Sequence, residues 1–256
     1  MFKPLRVLLL LTLLAGVAIG AWRDKARATG WHSSLQVAVY PIAADDSPVT
    51  QAYIATLSDE SFHDVQDWFT AQAAPYGVAA SPPVQLWLAP AVPVLPPTPP
   101  QVGNALQIAA WSLQLRWWAW RRDAGPHPAP QVKLFVLFHD PAESRAVPHS
   151  LGLEKGLIGV VHAFATPAQA AQNNVVLAHE LLHTLGASDK YDLSNNLPAY
   201  PLGYAEPQRQ PLWPQARAEI MAVRVPLSPR EARMAEGMGE TVIGAATALE
   251  IGLTRP

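Results

Sequence analysis

The sequence predicts an α/β (α+β) domain built around a mixed, twisted β-sheet. Three observations lead there. Strand-like runs at residues 35–40, 84–88, 132–138 and 157–164 alternate with segments of helical period at 58–74, 101–122 and 166–185. Half of the 256 residues are hydrophobic and 15% are charged, which supplies apolar material for a core. No internal repeat or boundary interrupts residues 29–256, which read as a single domain.

At the N-terminus, Lys3 and Arg6 precede an apolar run from Val7 to Trp22. The run is long for a signal-peptide core and slightly short for a spanning helix. Ala18-Ile19-Gly20 is a weak cleavage site, and Arg23, Lys25 and Arg27 follow it. Residues 1–28 are therefore expected to be a signal peptide or an N-terminal membrane anchor through residues 7–22. The protein is then exported: periplasmic, extracellular or membrane-anchored.

Leu35 to Tyr40 alternates in period two and predicts a strand. Ser58-Asp59-Glu60-Ser61 opens a helix marked by Val65, Trp68, Phe69 and Gln72, and Tyr76-Gly77 ends it. Val84 to Leu88 reads as a second strand. Six prolines between Pro90 and Pro100 predict a stiff, extended surface loop. From Gln101 to Arg122, Val102, Leu106, Ala109, Leu113, Trp117 and Trp120 keep the helical period and predict the buried face. Trp111 and Trp118 lie off that stripe, so cover on more than one side is expected. Val132–Phe138 reads as a buried strand, and Leu157–Phe164 as another.

Thr166-Pro167-Ala168-Gln169 is a helix start, with Thr as N-cap, Pro at the first position and Gln able to complete a capping box. Ala168, Ala171, Val175, Ala178, Leu182 and Leu185 then form a core-facing stripe, and Gly186 is a good stop. The last two turns carry His179-Glu180-Leu181-Leu182-His183, continued by Gly186 and Asp189. Residues four apart on a helix lie about 40° apart around its axis, so both imidazoles leave one face. That spacing suits two nitrogen ligands on one Zn2+ ion, with Glu180 beside them as a general base.

The pattern H-E-x-x-H-x-x-G-x-x-D resembles the signature of the metzincin clan of zinc peptidases. Asp189 stands where most of the clan has a third histidine, a departure similar to that of the snapalysin-like members; a carboxylate is an acceptable zinc ligand. The resemblance implies metal ligands His179, His183 and Asp189, a methionine-containing turn, and a C-terminal helix after it. Glu219-Ile220-Met221-Ala222 supplies the turn candidate, and Leu227-Ser228-Pro229-Arg230-Glu231 a helix start behind it. Val223 occupies the place where some families carry a tyrosine, leaving Tyr191 and Tyr204 as candidate transition-state donors.

Glu206 and Asp192 are competing third ligands, disfavoured by Pro207 and by spacing respectively. His139, His149 and His162 lack ligand-like spacing and read as ordinary loop or strand residues. Leu157–Phe164 is read either as an edge strand that aligns a peptide by strand addition or as a buried structural strand. The proline-containing segment Tyr191–Ala218 reads as an irregular loop on the cleft's lower rim.

A net charge of −2 gives no strong attraction to nucleic acid, and the absence of cysteine excludes disulfides and thiolate ligands. Two function classes follow. The first is a zinc metalloendopeptidase that hydrolyses peptide or protein substrates through a metal-activated water. The second is a non-catalytic, zinc-stabilised envelope protein that keeps the fold and binds a partner.

Overall fold

The computed structural model describes residues 2–100, 104–154 and 156–254. It opens with helix α1 (Phe2–Ala28) and strand β1 (Leu35–Ala43). Helices α2 (Pro48–Ala55) and α3 (His63–Ala73) follow, then strand β2 (Val84–Leu88), helix α4 (Ala105–Trp120) and strand β3 (Val132–His139). Strands β4 (Leu151–Leu153) and β5 (Ile158–Phe164) lead into helix α5 (Ala170–Thr184). The C-terminal part holds β6 (Tyr191–Asp192), β7 (Leu197–Pro198), β8 (Ala218–Glu219), β9 (Arg224–Ser228), β10 (Glu231–Met234), β11 (Thr241–Val242) and helix α6 (Ala245–Glu250).

The fold is mixed α/β, with six α-helices among the described residues and a five-stranded, mostly parallel sheet ordered β2-β1-β3-β5-β4. Strands β1, β2, β3 and β5 run parallel; β4 alone is antiparallel, on the edge beside β5. Leu157–Phe164 is thus an interior strand, and the edge belongs to Leu151–Leu153. The sheet has a core on each face, because alternate residues of a strand point to opposite sides. Val132, Leu134, Val136 and Val161 pack with α3 and α5 on one face. Tyr40, Phe135, Leu137 and Ile158 pack with α4 on the other.

The face of α4 differs from the predicted one. Leu106, Leu113, Trp117 and Trp120 are exposed, while Leu115, Trp118 and Ala119 are buried. The helix is apolar nearly all round, so its periodicity does not choose a face. Packing chooses instead: Trp118 meets Phe135 edge-on, and Trp111 Nε1 donates to the Pro97 carbonyl at 2.9 Å. The helix starts at a capping box of Asn104 and Gln107; the predicted first turn, residues 101–103, lies outside the described residues.

Ser228-Pro229-Arg230-Glu231 is not a helix start. It is the turn of the antiparallel β9–β10 hairpin, with Arg230 N donating to Ser228 Oγ at 3.3 Å. Pro with a preceding Ser suits a turn as well as a helix N-terminus, and the strands on both sides decide between them. The C-terminal helix is the short α6.

Among the described residues no helix is long and apolar enough to cross a membrane. This corrects the expected anchor through residues 7–22 and the membrane-anchored location drawn from it. The apolar run of sixteen residues reaches about 24 Å at helical rise, short of the ~30 Å hydrocarbon core. The same helix continues through Arg23, Asp24, Lys25 and Arg27 to the buried Ala28, and Lys25 pairs with Glu154 beside β4.

Candidate metal centre

Helix α5 is entered through a single 3-10 turn, Pro167–Gln169, with Thr166 extended before it. Pro167 takes the predicted first position, but the Thr166 side chain makes no capping bond. Asn173 ties this start to β5 instead: its side chain accepts from Phe164 N and donates to Phe164 O. The last two turns of α5 are buried nearly all round, because the sheet lies on one side and residues 219–222 on the other.

The helix ends in a Schellman motif. Gly186 N donates to His183 O at 3.1 Å and Ala187 N to Leu182 O at 3.0 Å, with Gly186 at φ +103°. This reversal brings Asp189 back beneath the helix. Its flanks are fixed by Glu250 of α6. The buried Lys190 ammonium donates to both Glu250 carboxylate oxygens at 2.7 and 2.9 Å, and Ser188 donates to the same carboxylate through N and Oγ.

His179, His183 and Asp189 converge. The two histidine Nε2 atoms are 3.0 Å apart, and Asp189 Oδ1 lies 3.3 Å from His179 Nε2 and 3.0 Å from His183 Nε2. The Nδ1 atoms settle what these groups are. His179 Nδ1 donates to the Ile220 carbonyl at 3.1 Å and His183 Nδ1 to the Ala187 carbonyl at 2.7 Å. A carbonyl only accepts, so in the neutral rings each Nδ1 carries the proton and each Nε2 presents a lone pair. Two nitrogen lone pairs and a carboxylate oxygen would then face one another and need a cation among them: a metal ion or, without one, a proton on an Nε2 that donates to Asp189. The three ligand atoms lie within 4.8 Å of one another and can hold a metal ion.

The electrostatics agree. Burial pushes the Asp189 carboxyl up, but hydrogen bonds from His179 and His183 and their charges hold it well below the ordinary carboxylate range. Burial pushes the His183 imidazole down, yet Asp189, Glu180 and the Ala187 carbonyl outweigh that and raise it.

Glu180 is buried beside the triad, and its Oε2 has no hydrogen-bond partner. Burial pushes its pKa up, against the opposing pull of His179 and His183. The edge strand β4 passes directly over it. A Cβ on Gly152 would sit 2.3 Å from His183 Cβ and 3.2 Å from Glu180 Oε2, so only glycine allows this approach.

Behind His179 lies the turn at residues 219–223. Ala222 N bonds to Glu219 O at 2.9 Å, and Met221 is fully buried. Glu219 is itself buried and accepts from Met221 N, Gly244 N and Thr247 Oγ1, which holds the Ile220 carbonyl against His179.

Of the two candidate tyrosines, Tyr191 is at the site, its ring centroid 6.5 Å from that of His179. Burial and the charges of Asp189 and Glu180 push its phenol up. Tyr204 is occupied elsewhere, accepting from Trp213 Nε1 at 3.3 Å. The competing carboxylates also lie outside the triad. Asp192 caps its own turn through Ser194, and Glu206 faces Arg209. Sequence reasoning missed the Lys190–Glu250 clamp and the Gly152 approach, neither of which has a local pattern.

Fold and site together define a mixed α/β protein with a His-His-Asp group able to hold a metal ion. No protein-family profile matches the chain, and no curated protein matches it in sequence.

Proposed function

We propose that this chain is a zinc-dependent endopeptidase of the metzincin type. The observation that carries the reading is the convergence of two Nε2 lone pairs and Asp189 Oδ1 beside a buried glutamate whose Oε2 is unpartnered. Two imidazoles and one carboxylate leaving a further position is a donor set found at catalytic zinc. When bound, zinc supplies Lewis-acid polarisation of a carbonyl and acidifies a water.

The chain's own residues do the rest. Glu180 accepts a proton from the attacking water and delivers it to the leaving amine; its raised pKa suits both transfers. Ile220 and Ala187 carbonyls fix the imidazole tautomers and planes. Tyr191, kept protonated, is the candidate donor to the developing oxyanion in place of the tyrosine that Val223 replaces. An extended substrate adds to the free edge of β4, which lies over Glu180. The turn at Glu219–Val223 supports the metzincin reading by its position behind His179.

The test is turnover of an unfolded protein by the zinc-loaded chain, beside Glu180→Gln. The wild type should cleave it, and the variant should keep its zinc while losing at least about a hundredfold in rate. Zinc bound without wild-type turnover would overturn the proposal and favour a non-catalytic, zinc-stabilised binding protein.

A further inference from the structure

The edge strand β4 has two faces. Gly152 faces His183 and Glu180, and so does its cross-strand partner Gly159, where a Cβ would stand 3.9 Å from Glu180 Cβ. Successive residues of a strand point to opposite sides, so Leu151 and its partner Val160 face away from the triad. Both line a cavity of about 260 Å³ on that far side of the sheet. We infer that this cavity receives an aromatic side chain, tyrosine in preference, from an extended peptide added to β4. The inference rests on the strand addition proposed above and names the residue that the substrate carries.

The placement comes from the pleat. A peptide residue directly opposite Leu151 shares its face, because paired residues project to the same side of a sheet. The cavity then runs under β5 and β3 to Ala44, which follows the end of β1. That is the carboxyl end of the parallel strands, where open α/β sheets bind ligands. Pro96, Pro97 and Trp111 also line it, and the bond from Trp111 Nε1 to the Pro97 carbonyl holds indole and proline loop together. The apolar walls are thus preformed, as an aromatic ring requires.

The polar groups choose among aromatic residues. His139 Nε2 and His162 Nδ1, at the ends of β3 and β5, are 2.9 Å apart. Burial lowers both imidazoles, His162 to about 4 with the help of His139, and His139 against the charge of Asp45. Both rings are therefore neutral at pH 7, with one N–H each. Whichever ring gives the shared proton, one outer nitrogen is left as a donor and the other as an acceptor. A phenol hydroxyl donates and accepts, so it satisfies either nitrogen, whereas a phenylalanine ring satisfies neither. A carboxylate side chain finds no lysine or arginine among the lining residues.

The experiment measures binding without cleavage. The zinc-loaded full chain carrying Glu180→Gln is titrated into short labelled peptides of threonine and alanine that differ at one central residue: tyrosine, phenylalanine, alanine or aspartate. The tyrosine peptide should bind at least about tenfold tighter than the alanine or aspartate peptide, and about threefold tighter than the phenylalanine peptide. Ala44→Phe, added to that chain, fills the cavity from its inner end and should bring the tyrosine peptide to within about twofold of the alanine peptide. His162→Phe keeps a ring of similar size; it should retain the preference for aromatic residues and lose that for tyrosine over phenylalanine. Tyrosine and alanine peptides that bind alike or not at all, a preference unchanged by Ala44→Phe, or a tyrosine advantage that survives His162→Phe would overturn the proposal. Turnover of an unfolded protein by the wild type, measured separately, reports on the peptidase reading alone.

Discussion

Glu250→Gln removes one charge from the clamp that holds the loop of Asp189. In the wild type the Lys190 side chain is 4% exposed and that of Glu250 is 31% exposed. Lys190 Nζ also reaches Ser188 O and Oγ at 2.9 and 2.7 Å, so the ammonium keeps partners but loses its counter-charge. Removing one member of a fully buried pair costs about 3–5 kcal/mol. Water reaches nearly a third of Glu250, which lowers the expected loss to about 2–3 kcal/mol. The pH dependence follows from the carboxyl. Burial pushes its pKa up, but Lys190 and Ser188 outweigh this and lower it. A carboxyl lowered by folding stabilises fully above its unfolded value, about 4.3, and loses that contribution as pH falls through the folded value. Urea unfolding of the metal-free proteins, followed by tryptophan fluorescence, should therefore show a constant gap above about pH 5 that closes at lower pH. Zinc affinity should fall by about tenfold, because Asp189 sits between the two clamped residues. A gap within about 0.5 kcal/mol at pH 7, or one that persists unchanged at pH 3, would refute the reasoning.

The remaining predictions concern the ligand, the strand above it and the far face of the sheet. Asp189→Asn should weaken zinc binding by at least about a hundredfold, read by competition with a chromophoric chelator; near-native affinity would remove Asp189 from the ligand set. Gly152→Ala should destabilise by at least about 1–3 kcal/mol and depress activity, because the new methyl meets His183 Cβ and the Glu180 carbonyl. Leu115→Ala should cost about 2–4 kcal/mol, whereas Leu113→Ala, two residues away on the exposed face, should stay within about 0.5 kcal/mol. Reversed values in that pair would mean that α4 buries its other face.

Much of the site was legible because its geometry is local. The spacing of His179, Glu180 and His183 fixes their shared face once a helix is granted, and Gly186 announces the turn that a left-handed residue makes possible. The strand positions were legible for a similar reason, since period-two and continuous apolar runs survive without reference to neighbours. Residues 228–231 show the limit. Ser-Pro-x-Glu satisfies both a helix N-terminus and a hairpin turn, and the pairing of β9 with β10 settles it. The α4 stripe fails similarly, because a helix apolar on all sides has no preferred face until Phe135 and the proline loop are placed against it.

The sequence alone therefore determined the alternation of strands and helices, the pairing of two imidazoles with a glutamate on one helix, and the chain reversal after it. Each depends on bond geometry within a few residues. Tertiary structure alone decided that Glu250 clamps the Asp189 loop, that Tyr191 rather than Tyr204 faces the triad, and that Gly152 lets β4 close over Glu180. It also set His139 against His162 across two strands. Those contacts join residues separated by up to 62 positions in the clamp and 23 in the histidine pair. No local periodicity carries such distances; they are fixed by which faces the packed sheet and helices bring together.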